Sequence, residues 1–430
     1  MGKSSTTFVG MDVHKESIKL ATADEGEARH YGLFVPGMRG RRVNLVPRSL
    51  ASPLNARIGA PAHAGDSCKL ARESLPPMNV PAENLAAQLR AVFRAWGMAE
   101  AASEASARLM IAADLRGIDS HGAMMLPLYD ELRREGRLEM NPEVKVVRES
   151  PVTALVDGGG GLGHYPADVA TRLAIDKAAR AGLAAVGVRN SNHFGAAGVY
   201  ALQAAERGLV GVAMTNVWNL AIVPTRSTQA MFGTNPIAFA APAGKNPPFC
   251  LDMATSTVAI GKLKLAILHG KPLPRGWALD AQGRVTEDGN VALAARKLTP
   301  VGGTPELASH KGYGLAAMVE ILCAMLPGAW YAPTRDARHP GAKHFNVGHF
   351  FLAIDPKAFR GEGEFEDDLD DMLDALRASA PLDAAQPVLV HGDPERTAVA
   401  EREKHGIPLP EELARQIRSI ARGCGAEVVL

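Results

Sequence analysis

Between residues 151 and 356, short apolar runs alternate with stretches of helical period, and this alternation restricts the fold more than any other feature of the sequence. "VTALVD", "LAAVGV", "LVGVAMTN", "PIAFAAP", "FCLDMAT" and "HFFLAID" have the length and apolar content of buried strands. "PADVATRLAIDKAARAG" and "AAGVYALQAAERG" read as the helices between them. Strands of this kind bury their faces under helices, so the pattern predicts an α/β architecture. Upstream, "MNVPAENLAAQLRAVFRAWGM" sets Leu85, Leu89, Val92, Phe93 and Trp96 on one helical face, with Gly97 as a stop. An alanine-rich helix is predicted from about Glu100 to Leu115, and further helical runs, "DDLDDMLDALRAS" and "PEELARQIRSIARG", follow residue 366.

Before Met78 the texture is different. Residues 8–32 begin "FVGMDVHK" and resemble the opening strand of insertion-sequence transposases with an RNase H-like nuclease domain. Asp12 would be the first metal ligand there. A single carboxylate cannot hold the two metal ions of that chemistry, and no further carboxylates stand in a recognisable context. Residues 33–77 mix Pro, Gly and scattered Arg with neither helical nor strand period, and read as a disordered linker. The 47 basic and 46 acidic side chains nearly cancel, which argues against a nucleic-acid or anionic-membrane partner. No run is long enough to span a bilayer, and the N-terminus lacks the apolar core of a secretory signal. Cys68, Cys250, Cys323 and Cys424 are far apart without a CxxC pair, so neither a thiolate metal site nor a disulfide framework is expected. A cytoplasmic home is the simplest reading.

"VDGGGGLGHY" formally contains G-x-G-x-x-G after a strand and before a helix. The next strand, however, ends in Arg189 and Asn190 rather than in an acid suited to a ribose, so a Rossmann loop is disfavoured. Polar clusters at strand–helix junctions are the better candidates for chemistry. They are Ser120 and His121 in "DSHG", Asn192 and His193 in "SNHFG", Asp252, Thr255 and Ser256 in "DMATS", His310, Lys311 and Glu320 in "HKGYGLAAMVE", and Gly348 and His349 in "VGHFF". Each alone fits the ordinary polarity of a loop end. Five of them in one α/β region suggest a site.

Taken in order, "DLRGIDSHG", "SNHFGAAG", "GTNPIAFAAP", "DMATS", "GWALDAQG", "HKGYGL" and "GHFFLAIDP" make residues 78–430 resemble the malate/L-lactate dehydrogenase family of the second type. The resemblance implies a mixed α/β oxidoreductase fold that is not Rossmann, with flanking helices, preceded here by a poorly structured extension. It divides the region into N-terminal helices with the histidine loop (78–150), a cofactor and substrate region (151–360) and C-terminal helices (361–430). It also implies a homodimer, NAD or NADP as cofactor, and a small 2-oxo or 2-hydroxy acid as substrate. On this view the front end is a transposase fragment fused to an enzyme whose natural start is Met78.

The same resemblance makes His121 the catalytic acid/base, supported by Ser120, and puts His193 in the substrate pocket. Asp252, Thr255, Ser256, His310, Lys311, Gly348 and His349 would contact the cofactor, and no metal is implied. The chemistry agrees, because reduction of a ketone by hydride leaves an alkoxide that an imidazole of unperturbed pKa about 6.5 can protonate. Asp119 either orients His121 or caps its loop. Many family members carry an arginine four residues after this histidine, suited to a substrate carboxylate. Here the residue is Met125, so Arg116 and Arg189, with Asn192, are the candidates for that task. Reduction of a cyclic C=N bond is the alternative chemistry, and a decayed mobile-element protein is the alternative of another class.

Overall fold

The computed structural model describes residues 78–430, so the transposase-like segment and the predicted linker lie outside the described residues. In chain order, β1 (Met78–Val80) leads into α1 (Ala82–Ala95), α2 (Glu100–Leu115) and α3 (Leu126–Arg134). Then come β2 (Lys145–Glu149), β3 (Thr153–Asp157), α4 (His164–Ala181), β4 (Leu183–Ser191), α5 (Gly198–Ala205), β5 (Val210–Thr215), β6 (Ile237–Ala241) and β7 (Phe249–Met253). A smaller lobe holds α6 (Ile260–Leu268), β8 (Ala278–Leu279), β9 (Val285–Thr286), α7 (Gly289–Ala295) and β10 (Lys297–Leu298). The chain ends with α8 (His310–Glu320), α9 (Ala332–Arg338), β11 (Val347–Ile354), α10 (Glu364–Ala378), α11 (Asp393–His405), β12 (Ile407–Leu409) and α12 (Glu411–Cys424).

Seven strands form the central sheet in the order β2-β3-β4-β11-β5-β6-β7. Only β3 and β4 run parallel, joined through α4 as a parallel crossover requires. Every other neighbouring pair is antiparallel. The sheet is therefore mixed, as expected, and does not have the all-parallel core of a dinucleotide-binding Rossmann domain. All six strands expected from the apolar runs are present. The missed β2 is exposed along its whole length and carries "KVVRE", which gives no burial signal.

Helices cover both faces. Ala167, Ala170, Ala174 and Ala178 of α4, with Tyr200, Ala201 and Ala204 of α5, pack on Val156, Val186, Val188, Ala213 and Phe351. Alanine brings these helices close to the sheet. On the other face Val319 and Cys323 pack on Met214 and Phe350. The N-terminal helices form a second core with the far end of the chain, because β1 pairs with β12 and Leu85, Leu89 and Phe93 meet Leu409, Ile417 and Ala421. Segment 361–430 thus returns onto segment 78–150.

Gly348 shows how tightly β11 is fitted. A Cβ there would lie 1.7 Å from the carbonyl oxygen of Cys323. Gly348→Ala is expected to cost about 3 kcal/mol as an overpacked backbone contact. Gly314→Ala, inside α8 with open space around the position, should gain up to about 1 kcal/mol from helix propensity. Urea unfolding of the two variants checks both signs.

Candidate active site

His121 ends a single 3₁₀ turn, Asp119–His121, just after α2. The turn is pinned from below and from the side. Asp114 is buried and its Oδ2 accepts the Ala123 N–H at 2.8 Å. Burial pushes the Asp114 carboxyl up to about 7, with the Ala123 N–H opposing the rise. Asp119 pairs with Arg402 of α11, whose guanidinium also donates to the Asp114 carbonyl. Of the two roles open to Asp119, the structure shows an anchor of the loop. The partner of the imidazole is Ser120, whose Oγ lies 2.8 Å from His121 Nδ1.

His193 faces His121 across a stacked pair, ring centroids 5.5 Å apart. It sits just beyond β4, and its backbone is held by the glycine run. The N–H groups of Gly158, Gly160 and Gly163 donate to the carbonyls of Arg189, Asn190 and His193 at 2.9, 2.7 and 3.0 Å. A Cβ on Gly163 would lie 2.2 Å from the Asn192 carbonyl oxygen. The glycines serve the close approach of two backbones, and these N–H groups are not left for a phosphate.

Hydrogen bonds fix the state of His193. Its Nδ1 accepts the Gly195 N–H at 3.3 Å and meets the Tyr129 hydroxyl at 2.7 Å. Tyr129 is fully buried, which drives its pKa well up and keeps the hydroxyl a donor. With Nδ1 an acceptor, the ring proton resides on Nε2. Burial first, and then the neighbouring histidines, hold His193 well below the usual imidazole range. Burial lowers His121 as well. Tyr129 was not singled out from the sequence, because a tyrosine on an amphipathic helix reads as core.

His121 and His193 line a small cavity of about 70 Å³ with Gly195, Asn216, Val217, Trp218, Thr234, Pro236 and Val347. A groove of about 380 Å³ borders the same two chain segments, 116–121 and 193–198. Ile118, Gly198, Leu202, Pro248 and Val399 form its walls, and its charged lining is Arg116 and Arg396 with the carboxylates Glu206, Asp252, Glu395 and Glu403. Asp252 Oδ2 accepts the Gly198 N–H at 2.7 Å at the start of α5.

The other predicted site residues divide. Asp252 lines the groove. His310 and Lys311 are exposed at the start of α8. Thr255 and Ser256 are buried, and their hydroxyls are spent on the carbonyls of Thr234, Asn235 and Val258, so they shape the pocket from behind. Gly348 is buried against Cys323. His349 is corrected from cofactor contact to internal brace. It is fully buried, with Nδ1 2.7 Å from Thr215 Oγ1 and Nε2 2.8 Å from Ser191 Oγ. Arg116 and Arg189 do not line the histidine pocket. Arg116 lies in the groove, donating to Ala112 O, and Arg189 is bonded to Asp157 at 3.1 Å. Asn192 is buried, its Oδ1 accepting the His193 N–H at 2.8 Å. Glu320 is buried behind the pocket, where it accepts from Asn216 and Asn235 at 2.9 and 2.8 Å.

A mixed sheet outside the Rossmann class, with paired histidines in a small pocket and a separate groove bordered by neighbouring chain segments, is the frame of a non-Rossmann oxidoreductase. Known proteins agree. The solved structure of malate dehydrogenase from Entamoeba histolytica superposes with a TM-score of 0.77 at 30% identity, covering 82% of this chain and 99% of that one. Malate dehydrogenase from Pyrococcus abyssi is 38% identical over 351 residues, 81% of this chain and 96% of that protein. A Δ1-pyrroline-2-carboxylate/Δ1-piperideine-2-carboxylate reductase from Pseudomonas putida is 35% identical over 288 residues, 66% of this chain and 82% of that protein. The malate/L-lactate dehydrogenase family model matches residues 80–418, and the chain belongs to that family.

Two buried histidines make stability depend on pH. Burial holds His164 and His349 down to about 3, whereas unfolded imidazoles take a proton below about 6.5. Between these values the unfolded state binds more protons, so stability falls as pH falls. Each of these histidines removes about 1.4 kcal/mol per pH unit in that window, while Asp114 and Asp252, raised to about 7 and about 6, bind their protons in the native state and oppose the loss. Removing one opposing carboxyl should expose the histidine effect: Tm of Asp114→Asn should fall more steeply from pH 6.5 to pH 4.5 than that of the parent, and equal slopes in the thermal melts would contradict the assignment.

Proposed function

We propose that the protein is an NAD(P)-dependent dehydrogenase that interconverts a small 2-oxo acid and the matching 2-hydroxy acid, with His121 as acid and base. The observation that carries this reading is the His121–His193 pair lining the small pocket, with the groove bordered by residues close to them in the chain, Arg116, Ile118 and Gly198. The groove suits a dinucleotide. It is long and mostly apolar, and Asp252 is a carboxylate of the kind that holds a ribose diol. Arg116, Asp252 and Arg396 would line the cofactor there, with His310 and Lys311 as further candidates. A bound nicotinamide supplies or accepts the hydride.

The chain's own residues handle the proton. Ser120 Oγ accepts from His121 Nδ1–H, which leaves Nε2 to exchange a proton with the substrate oxygen. His193, fixed as the Nε2–H tautomer, donates a hydrogen bond to the substrate and polarises it. Because both rings resist protonation, one proton on His121 is not opposed by a second charge on His193. The family likeness to the Pseudomonas putida reductase supports a second reading, in which the same imidazole protonates the nitrogen of a cyclic imine. A homodimer in the cytoplasm completes the proposal. Among the described residues no helix is long and apolar enough to cross a membrane.

His121→Asn should lower the rate in both directions by about 10²- to 10⁴-fold, the usual worth of a general acid–base, while NADH still binds by calorimetry. Reduction needs the protonated ring and oxidation the neutral one. The lowered pKa therefore predicts that reductive kcat/KM falls as pH rises through a midpoint below 6.5 and oxidative kcat/KM rises through it. A reductive profile that holds level up to pH 9 would remove His121 from the mechanism.

A further inference from the structure

The histidine pocket has a charge balance that narrows the substrate. No lysine or arginine lines it. Met125, at the entry to α3, is half-buried and packs against the hydrophobic cluster that contains Tyr129 and Phe345. Arg116 and Arg189 are held elsewhere, as described above. Two further arginines come closest through an aromatic stack. Arg137 and Arg335 rest on the ring of Phe345, 5.1 and 5.2 Å from its centroid, and Phe345 stacks on the pocket residue Trp218 at 4.1 Å. Both are already paired, with Glu135 and Asp336 at 2.8 Å.

The neutral polar groups of the pocket are mostly committed too. Asn216 spends its amide on Glu320, on the Trp330 carbonyl and on the Gly348 N–H. Thr215 Oγ1 is bonded to the Asn216 and Gly348 carbonyls and to His349. What remains around the cavity is the His121 and His193 rings, Thr234, and a wall of Val217, Trp218, Pro236 and Val347, whose polar groups are limited to the Trp218 indole N–H and the backbone. Directly behind Asn216 lies the Glu320 carboxylate, buried and bonded to two amides but to no cation. A second negative charge on a ligand would enter this space without a cation to pair with among the described residues that line it.

Resting on the dehydrogenase reading above, we infer that the substrate is a monocarboxylate, a short 2-oxo acid or cyclic 2-imino acid whose remaining atoms are apolar, and that dicarboxylates are rejected. Its single carboxylate lies against Thr234, while the one free N–H of His193 stays on the reacting oxygen or nitrogen, and its side chain lies on Val217, Trp218 and Val347. The cavity of about 70 Å³ admits only a few atoms beyond the reacting carbon and its carboxylate.

The test compares charges on matched ligands. With the full-length protein and saturating NADH or NADPH, kcat/KM is measured for pyruvate, 2-oxobutyrate, Δ1-pyrroline-2-carboxylate and oxaloacetate. Calorimetry on the protein–cofactor complex then compares the monoanion oxamate with the dianion tartronate. The best monocarboxylate should exceed oxaloacetate at least tenfold, and oxamate should bind more tightly than tartronate. Oxaloacetate turned over equally well or better, or tartronate binding as tightly, overturns the inference and leaves the dehydrogenase reading standing. Cofactor binding without turnover of any of the four compounds removes that reading, and the inference falls with it.

Discussion

One buried imidazole ties the centre of this molecule together. His349 is on β11, and its two ring nitrogens reach Thr215 at the end of β5 and Ser191 at the end of β4. Thr215 Oγ1 gives its own proton to a backbone carbonyl, so it receives one from His349 Nδ1, and Nε2 accepts from the Ser191 hydroxyl. The three strands that it joins are neighbours in the sheet. Two of them continue directly into the site, one into Asn192 and His193 and the other into Asn216, Val217 and Trp218. The separation of the two pocket walls is therefore set by bonds to a residue sealed inside the sheet.

Around this brace the site is built by subtraction of charge. His193 is fixed as a neutral donor and His164 is buried without a partner for either ring nitrogen. The tyrosine against His193 is kept protonated. Among the described residues the pocket is lined by no aspartate, glutamate, lysine or arginine, so its two imidazoles are its ionisable groups. A low-dielectric surrounding of this kind strengthens each remaining hydrogen bond. It also explains why so few side chains are needed to define the pocket.

The sequence made the strands, the covering helices and the histidine pair legible, because apolar runs and ordered motifs are local signals. Strand order was not. β11 enters between β4 and β5 from more than a hundred residues downstream, and nothing in "HFFLAID" names its neighbours. The same gap explains the misplaced residues. His349 and Arg189 look alike as polar residues at strand ends, yet one is sealed between strands and the other is tied to Asp157. Asp119 found its partner, Arg402, almost three hundred residues away. Tyr129 was hidden by its helix, and the glycine run was explained only by the backbone that it touches.

The pairing of β1 with β12 has a consequence for biosynthesis. The cluster under the His121 loop is completed by Leu409, Ile417 and Ala421, and Gln88 of α1 binds the backbone of Glu427, Val429 and Leu430. A ribosome delivers these groups last, so the first helices made wait with an open apolar face until the message has been read almost to its end. The strands of the sheet are all synthesised by Ile354, about fifty residues before the segment that closes the cluster under the His121 loop.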